Sequence, residues 1–134
     1  MQSVSHLLMI KPSHFGFNVE TAANNYFQQN IPGNHQQKAL KEFEAFVTLL
    51  QKNNILVTVI NDNNDTITPD AIFPNNWISF DEEHGIFLYP MFALNRRLER
   101  DKSILETLKK NFIKLYNKIS IIFVNTKHIL KWKH

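Results

Sequence analysis

Residues 68–77 read TPDAIFPNNW, and the interpretation of the whole chain starts from this stretch. A proline fixes its own φ angle and favours an extended conformation in the residue before it, so the two prolines set the path of the backbone around Asp70. A carboxylate held beside Phe73 and Trp77 suits a planar cation or a urea-like group. Charge-assisted hydrogen bonds would hold such a ligand, and the aromatic rings would line the binding site. We therefore predict a ligand-binding segment with Asp70 at its centre.

Structural alternatives exist for the polar residues of this segment. An aspartate before a strand is often an N-cap or a turn residue whose side chain bonds nearby backbone, and Asp70 can be read in that way. Asn75 and Asn76 can likewise be turn residues, although two adjacent amides can also donate to and accept from a neutral polar ligand. The residue types leave both interpretations open.

A second polar stretch follows, with YPM at 89–91 and NRRLER at 95–100. We predict that its three arginines stand at the start of a helix, where positive charge opposes the helix dipole. A ligand carboxylate is a natural partner for them, because a guanidinium binds a carboxylate through two parallel hydrogen bonds. The alternative is a solvated helix face on which these arginines pair with Glu99 and Asp101.

The charge distribution argues against a nucleic-acid-binding fold. The formal net charge is +3, but the first 124 residues carry 12 Lys and Arg against 12 Asp and Glu. The excess lies in the last ten residues, as Lys127, Lys131 and Lys133. Phosphate binding needs several cations that converge on one groove, so we predict no nucleic-acid partner.

Several other site types are excluded by what the sequence lacks. With no cysteine, the chain has no disulfide, no thiolate metal site and no cysteine nucleophile. The histidines have no metal-ligand spacing, and the calcium-loop-like start at 62–65 is followed by Ile67 where such a loop needs glycine. No glycine-rich phosphate loop is present, so we predict no metal and no cofactor. The apolar run at 7–10 is too short to span a membrane, and we expect a cytoplasmic protein.

Hydrophobic periodicity predicts the order β, α, β, β, β, α, β, with a mixed sheet and two main helices. The apolar positions of residues 36–52 recur at threes and fours, which indicates a helix. Residues 15–34 are predicted to be a long loop with one helical turn near 20–27. The remaining predictions are strands at 6–10, 55–60, 77–80, 86–89 and 119–124, turns at 61–65 and 81–85, and a helix at 97–116.

The motifs PDAIFPNNW, YPM and NRRLER, taken in order, resemble the guanidino-group-modifying superfamily of dimethylarginine dimethylaminohydrolases, arginine deiminases and amidinotransferases. The likeness is greatest to the citrulline-utilisation hydrolase branch and spans roughly residues 8–116. It implies a five-bladed α/β propeller (the pentein fold), of which this chain would hold about one and a half blades. It also implies a small guanidino or ureido amino acid as the ligand.

The resemblance further implies roles for individual residues. Asp70 and Phe73 would line the substrate pocket, and Arg96 or Arg97 would receive the amino-acid carboxylate. The dimethylarginine branch has an acidic pair where this chain has Asn75 and Asn76. Carboxylates suit a cationic guanidinium and amides suit a neutral ureido group, so this difference favours citrulline.

The superfamily uses a cysteine nucleophile and a histidine acid/base from the C-terminal part of longer chains, and no catalytic residue can be assigned here. We expect residues 1–124 to be the N-terminal part of an amidinotransferase-like hydrolase acting on C–N bonds, inactive alone, and 125–134 to be a basic tail that is either non-native or frayed. Exposed strand edges would then favour self-association. The alternatives are a non-catalytic binding module for arginine- or citrulline-like ligands and a small interaction protein with a basic tail.

Overall fold

The computed structural model describes residues 6–26, 28–62, 65–81, 83–100, 102–113 and 121–123. The chain divides into two compact units, Met1–Pro74 and Asn75–His134. Each unit combines helices with a small sheet, so the predicted mixed α/β class is confirmed.

The first unit is built on a β-α-β arrangement. Strand β1 (His6–Lys11) pairs in parallel with β2 (Leu56–Asn61), and helix α2 (His35–Lys52) connects them after the short α1 (Val19–Ala22). The register pairs Ile10 with Ile60, and both side chains are buried. Helix α2 packs on β2, and its Ala39 and Phe43 are also buried. The apolar stripe that the periodicity predicts is therefore partly buried against β2, although its Phe46 is 50% exposed.

Local side-chain chemistry sets the two ends of α2. At its start, the Asn34 side-chain oxygen accepts a hydrogen bond from the backbone of Gln37 at 3.1 Å, which satisfies one of the open amide groups of the first turn. At its end, Asn54 adopts a φ of 61°, the left-handed conformation that asparagine tolerates better than most residues. The helix predicted at 36–52 is thus confirmed to within one residue.

The second unit is built on a β-hairpin. Strand β3 (Ile78–Asp81) pairs antiparallel with β4 (Gly85–Leu88), and β4 pairs in parallel with β5 (Ile121–Phe123). Helices α3 (Leu94–Arg97) and α4 (Lys102–Ile113) lie between β4 and β5 in sequence. Buried side chains from the hairpin, the segments beside it and α4 are Trp77, Ile78, Ile86, Leu88, Ala93, Ile104 and Leu108.

The prediction of one continuous helix over 97–116 is wrong in its first part. The chain forms α3, leaves helical geometry after Arg97 and begins α4 at Lys102. The amides of Leu98 and Glu99 bond the carbonyls three residues before them, at 3.3 Å each, which closes α3 in a tight turn. Residues 114–116 of the predicted helix lie outside the described residues.

The other predicted elements are found with small shifts. The predicted hairpin is confirmed with each strand displaced by one residue, and the predicted helical turn near 20–27 is α1, which begins at Val19. A 3-10 turn at Pro74–Asn76 was not predicted. The described part of the last predicted strand is β5, while residues 119, 120, 124 and the tail at 125–134 lie outside the described residues.

Candidate functional site

In the first unit, Asp70 lies in the turn between the two prolines and is 7% exposed. Its Oδ2 accepts a hydrogen bond from Nδ2 of Asn18 at 2.7 Å and another from Oγ1 of Thr21 at 3.0 Å. Both donors lie about fifty positions earlier in the sequence, in the region predicted as a long loop. The carboxylate is therefore held at a fixed position by a separate segment of the chain.

Asn18 is placed by helix α1, for which it is the N-cap. Its Oδ1 accepts a hydrogen bond from the backbone of Glu20 at 3.1 Å, and its backbone oxygen accepts from Ala22 at 2.9 Å. The same amide thus caps the helix with its oxygen and bonds Asp70 with its nitrogen. Asn18 is 1% exposed, which leaves this geometry little freedom.

A second buried contact fixes the start of the turn. Oγ1 of Thr68 donates to Oδ2 of Asp62 at 2.8 Å, and both residues are buried. Ser13 donates to the Asp62 backbone oxygen at 3.1 Å, and the Asp62 amide bonds the oxygen of Lys11 at 3.0 Å. Asp62, which follows β2, therefore links the start of this turn to the end of β1 by hydrogen bonds.

Phe73 closes the same turn. Its backbone amide donates to the backbone carbonyl oxygen of Asp70 at 3.0 Å, and the residue is 47% exposed. A buried carboxylate and a half-exposed aromatic ring are thus held three residues apart by a hydrogen-bonded turn. This arrangement can offer a charged acceptor and an apolar wall to one small ligand.

In the second unit, Arg96 and Glu99 form a buried ion pair. Nε and Nη2 of Arg96 donate to the two carboxylate oxygens of Glu99 at 2.9 and 3.1 Å, and the side chains are 9% and 1% exposed. Nη1 of Arg96 donates to Oδ1 of Asn76 at 2.9 Å. Asn75 and Asn76 are both exposed. Arg96 is therefore held within the unit and reaches one member of the asparagine pair.

The two other arginines bond backbone carbonyls of the loop at 89–92. Arg97 is exposed, and its Nε and Nη2 donate to the oxygens of Met91 and Phe92 at 2.9 and 3.4 Å. Arg100 donates to the Tyr89 oxygen at 3.1 Å. The predicted position of Arg96 and Arg97 at a helix start is wrong, because both lie in the last turn of α3, where positive charge is favourable.

Tyr89 joins this loop to the hairpin. Its amide donates to the Trp77 oxygen at 2.8 Å, and its hydroxyl lies 2.9 Å from the Ser79 hydroxyl. Trp77 is fully buried, and its indole nitrogen has no partner among the described residues. Trp77 is thus part of the interior of this unit, whereas Phe73 in the other unit presents a partly open ring.

The six predicted site residues fall into two sets. Asp70 and Phe73 share one turn of the first unit, while Asn76 and Arg96 are hydrogen-bonded in the second unit, with Asn75 and Arg97 adjacent in sequence. Sequence reasoning missed Asn18 and Thr21 as partners of Asp70. The N-cap preference of asparagine before Val19-Glu20 was a usable signal for α1, but no local pattern pointed to Asp70.

Two negative observations apply to the described part of the chain. No group of three or more His, Asp or Glu side chains in it is arranged to hold a metal ion. None of its helices is both long enough and apolar enough to cross a membrane.

Comparison with known proteins gives a family. The sequence model described as "N,N dimethylarginine dimethylhydrolase, eukaryotic" matches residues 11–130. A search of curated protein sequences gives no match. Among solved structures, the chain is similar to a dimethylarginine dimethylaminohydrolase in its adduct with 4-chloro-2-hydroxymethylpyridine, with a TM-score of 0.57 and 15% sequence identity.

The structural match covers 92% of this chain and 42% of the matched one, so the chain spans less than half the length of that relative. At this identity the similarity concerns the fold. The family match covers most of the sequence and includes both polar stretches described above. The chain therefore belongs to the N,N dimethylarginine dimethylhydrolase family, within the guanidino-group-modifying superfamily that its three motifs resemble.

Proposed function

We propose that this chain supplies substrate-binding residues of a guanidino-group hydrolase and binds a small guanidino or ureido amino acid. The observation that carries the proposal is the turn from Asp70 to Phe73, which holds a positioned carboxylate three residues before a half-exposed phenylalanine. A carboxylate can accept hydrogen bonds from the N–H groups of either a guanidinium or a ureido group. The family match supports the guanidino part of this class.

Within this proposal, the second unit carries candidate ligand-binding residues of its own. Arg97 is exposed, and two of its nitrogens are held by backbone carbonyls, so its guanidinium is positioned to receive an amino-acid carboxylate. Nε and Nη2 of Arg96 donate to Glu99, and its Nη1 donates to Oδ1 of Asn76. The proposed part of Arg96 is therefore to hold the Asn76 side chain in place. Asn75 and Asn76 offer neutral amides, which favour a citrulline-like ligand over a cationic one.

We further propose binding without turnover for these 134 residues taken alone. The sequence contains no cysteine, so a thiolate nucleophile of the kind that the resemblance implies would have to come from outside them. We also propose that residues 1–124 form about one and a half blades of a pentein propeller. The tail at 125–134 would be no part of it.

The proposed function can be tested by calorimetric titration with L-citrulline and L-arginine. We expect saturable binding by the wild-type chain and no release of ammonia, alkylamine or urea on prolonged incubation. The Asp70→Asn variant keeps the shape of the side chain but loses its charge. We expect its affinity for the ligand to be lower by about 10-fold or more, as for a lost hydrogen bond to a charged group.

A matched control is Asp81→Asn, the same chemical change on an exposed residue of the β3–β4 hairpin. We expect this control to bind as the wild-type chain does. Circular dichroism of both variants would show that each retains its secondary structure. Equal affinity of wild type and Asp70→Asn for both ligands would contradict the assignment of Asp70, and no binding by the wild-type chain would overturn the proposed function.

A further inference from the structure

We infer that Arg96 and Glu99 fix the orientation of the Asn76 side-chain amide and thereby make it a hydrogen-bond donor toward the ligand. This inference rests on the proposed function and deepens it, because it gives two residues that contact no ligand a part in choosing the ligand. It starts from the contact between Nη1 of Arg96 and Oδ1 of Asn76, at 2.9 Å.

The orientation of the Asn76 amide follows from the chemistry of its partner. A guanidinium carries N–H donors and no acceptor, so the group that faces Arg96 must be the amide oxygen. The NH₂ group of Asn76 then points away from Arg96. Within the described part of the chain Nδ2 of Asn76 has no hydrogen-bond partner, and the residue is exposed. Asn76 therefore presents a donor to solvent or to a ligand.

Glu99 keeps Arg96 in place. Its two carboxylate oxygens accept from Nε and Nη2 of Arg96, so one edge of the guanidinium is occupied and Nη1 is directed at Asn76. The Glu99 side chain is 1% exposed, and rotation of the pair would break both of these charged hydrogen bonds in a buried position. A reversal of the Asn76 amide would bring its NH₂ against a donor. The pair therefore opposes both movements.

A fixed donor discriminates between the two ligand types. The carbonyl oxygen of a neutral ureido group accepts from the NH₂ of Asn76, whereas a guanidinium offers only N–H donors to it. A polar group that meets the wrong partner loses its hydrogen bond to water without replacement, which is how sites of this kind reject an analogue. Asn76, held by Arg96 and Glu99, thus selects an acceptor-bearing ligand, and Arg96 and Glu99 are positioning residues.

The test measures the ratio of affinities for L-citrulline and L-arginine by calorimetry. We expect wild type to prefer citrulline. Asn76→Asp replaces the donor with an acceptor on an exposed residue, and we expect the ratio to move toward arginine by about 10-fold or more. Glu99→Gln removes one acceptor facing Arg96, and we expect its ratio to approach one, with both ligands still bound.

Matched controls make the same chemical changes elsewhere. Asn30→Asp alters an exposed loop residue, and Glu106→Gln alters an exposed residue of α4; both should keep the wild-type ratio. A second readout needs no ligand: the side-chain NH₂ signals of Asn76 in a ¹⁵N NMR spectrum, assigned by their loss in Asn76→Asp. We expect these signals to move in Glu99→Gln and to stay in Glu106→Gln.

The outcomes separate the inference from the proposed function. Binding by wild type with an unchanged ratio in Asn76→Asp overturns the inference and leaves the proposed function standing. Unmoved Asn76 signals in a folded Glu99→Gln protein overturn the positioning role of Glu99. Failure of wild type to bind either amino acid overturns the proposed function and, with it, the assignment of ligand specificity to Asn76.

Discussion

Removal of Glu99 should destabilise the chain far more than removal of an exposed partner at a similar distance. Glu99→Ala removes the carboxylate that faces the Arg96 guanidinium, whose side chain is 9% exposed, while the hydrogen bond from Arg96 to Asn76 remains. Breaking a buried ion pair by deleting one member costs about 3–5 kcal/mol. Because Arg96 keeps the hydrogen bond to Asn76, we expect the lower end of this range, about 3 kcal/mol.

The chain provides its own control for this prediction. Lys11 and Glu44 form an ion pair of 2.8 Å, but their side chains are 38% and 61% exposed. Pairs of that kind contribute about 0–1 kcal/mol, so Glu44→Ala should change the free energy of unfolding little. The nitrogen–oxygen distances of the two pairs are nearly equal, and burial accounts for the expected difference.

The measurement is urea unfolding followed by tryptophan fluorescence, with Trp77 as a fully buried reporter in the same unit as Glu99. Arg96→Ala and the double variant complete a mutant cycle, for which we expect a coupling of about 2 kcal/mol. If Glu99→Ala costs no more than Glu44→Ala, or if the coupling is zero, the buried pair does not stabilise the unit and the reasoning fails.

Three further outcomes are expected. Burial lowers the pKa of His6, whose Nε2 lies 2.8 Å from the Thr58 hydroxyl, so this histidine binds a proton more readily in the unfolded chain than in the folded one. The free energy of unfolding should therefore be greatest above about pH 6.5 and fall as the pH drops below that value. In urea titrations, His6→Gln should reduce this dependence on pH. Leu108→Ala opens a cavity at a side chain with no exposure and should cost about 2–5 kcal/mol of unfolding free energy, against little change for the exposed Thr107→Ala. Leu56 is 61% exposed on β2, so Leu56→Lys should reduce the proposed self-association in light scattering, and an unchanged mass distribution would contradict an interface at that strand.

The elements that could be predicted are those specified by local patterns. Helix α2 follows from apolar residues at threes and fours, and the hairpin follows from two apolar runs around a polar turn. The family resemblance likewise depended on contiguous motifs. In each case the information lies within one segment of the chain.

The parts that could not be predicted depend on contacts between distant or competing groups. The Asn18–Asp70 hydrogen bond joins residues 52 positions apart, and no spacing rule indicates it. The break between α3 and α4 interrupts a favourable helical pattern, and the buried Arg96–Glu99 pair lies at that break. Glu99 could be named as a partner for the arginines, but a solvated pair and a buried one look alike in sequence.

The double use of Asn18 has a consequence for how this chain can change. One short side chain caps α1 through its oxygen and bonds Asp70 through its nitrogen, so a replacement must supply both an acceptor and a donor at the same reach. Serine would preserve the cap with a shorter reach toward Asp70, and aspartate would preserve the cap but set one carboxylate against another. Substitution at position 18 is therefore tied to position 70, and a change of the Asp70 carboxylate would require a compensating change at the start of a helix.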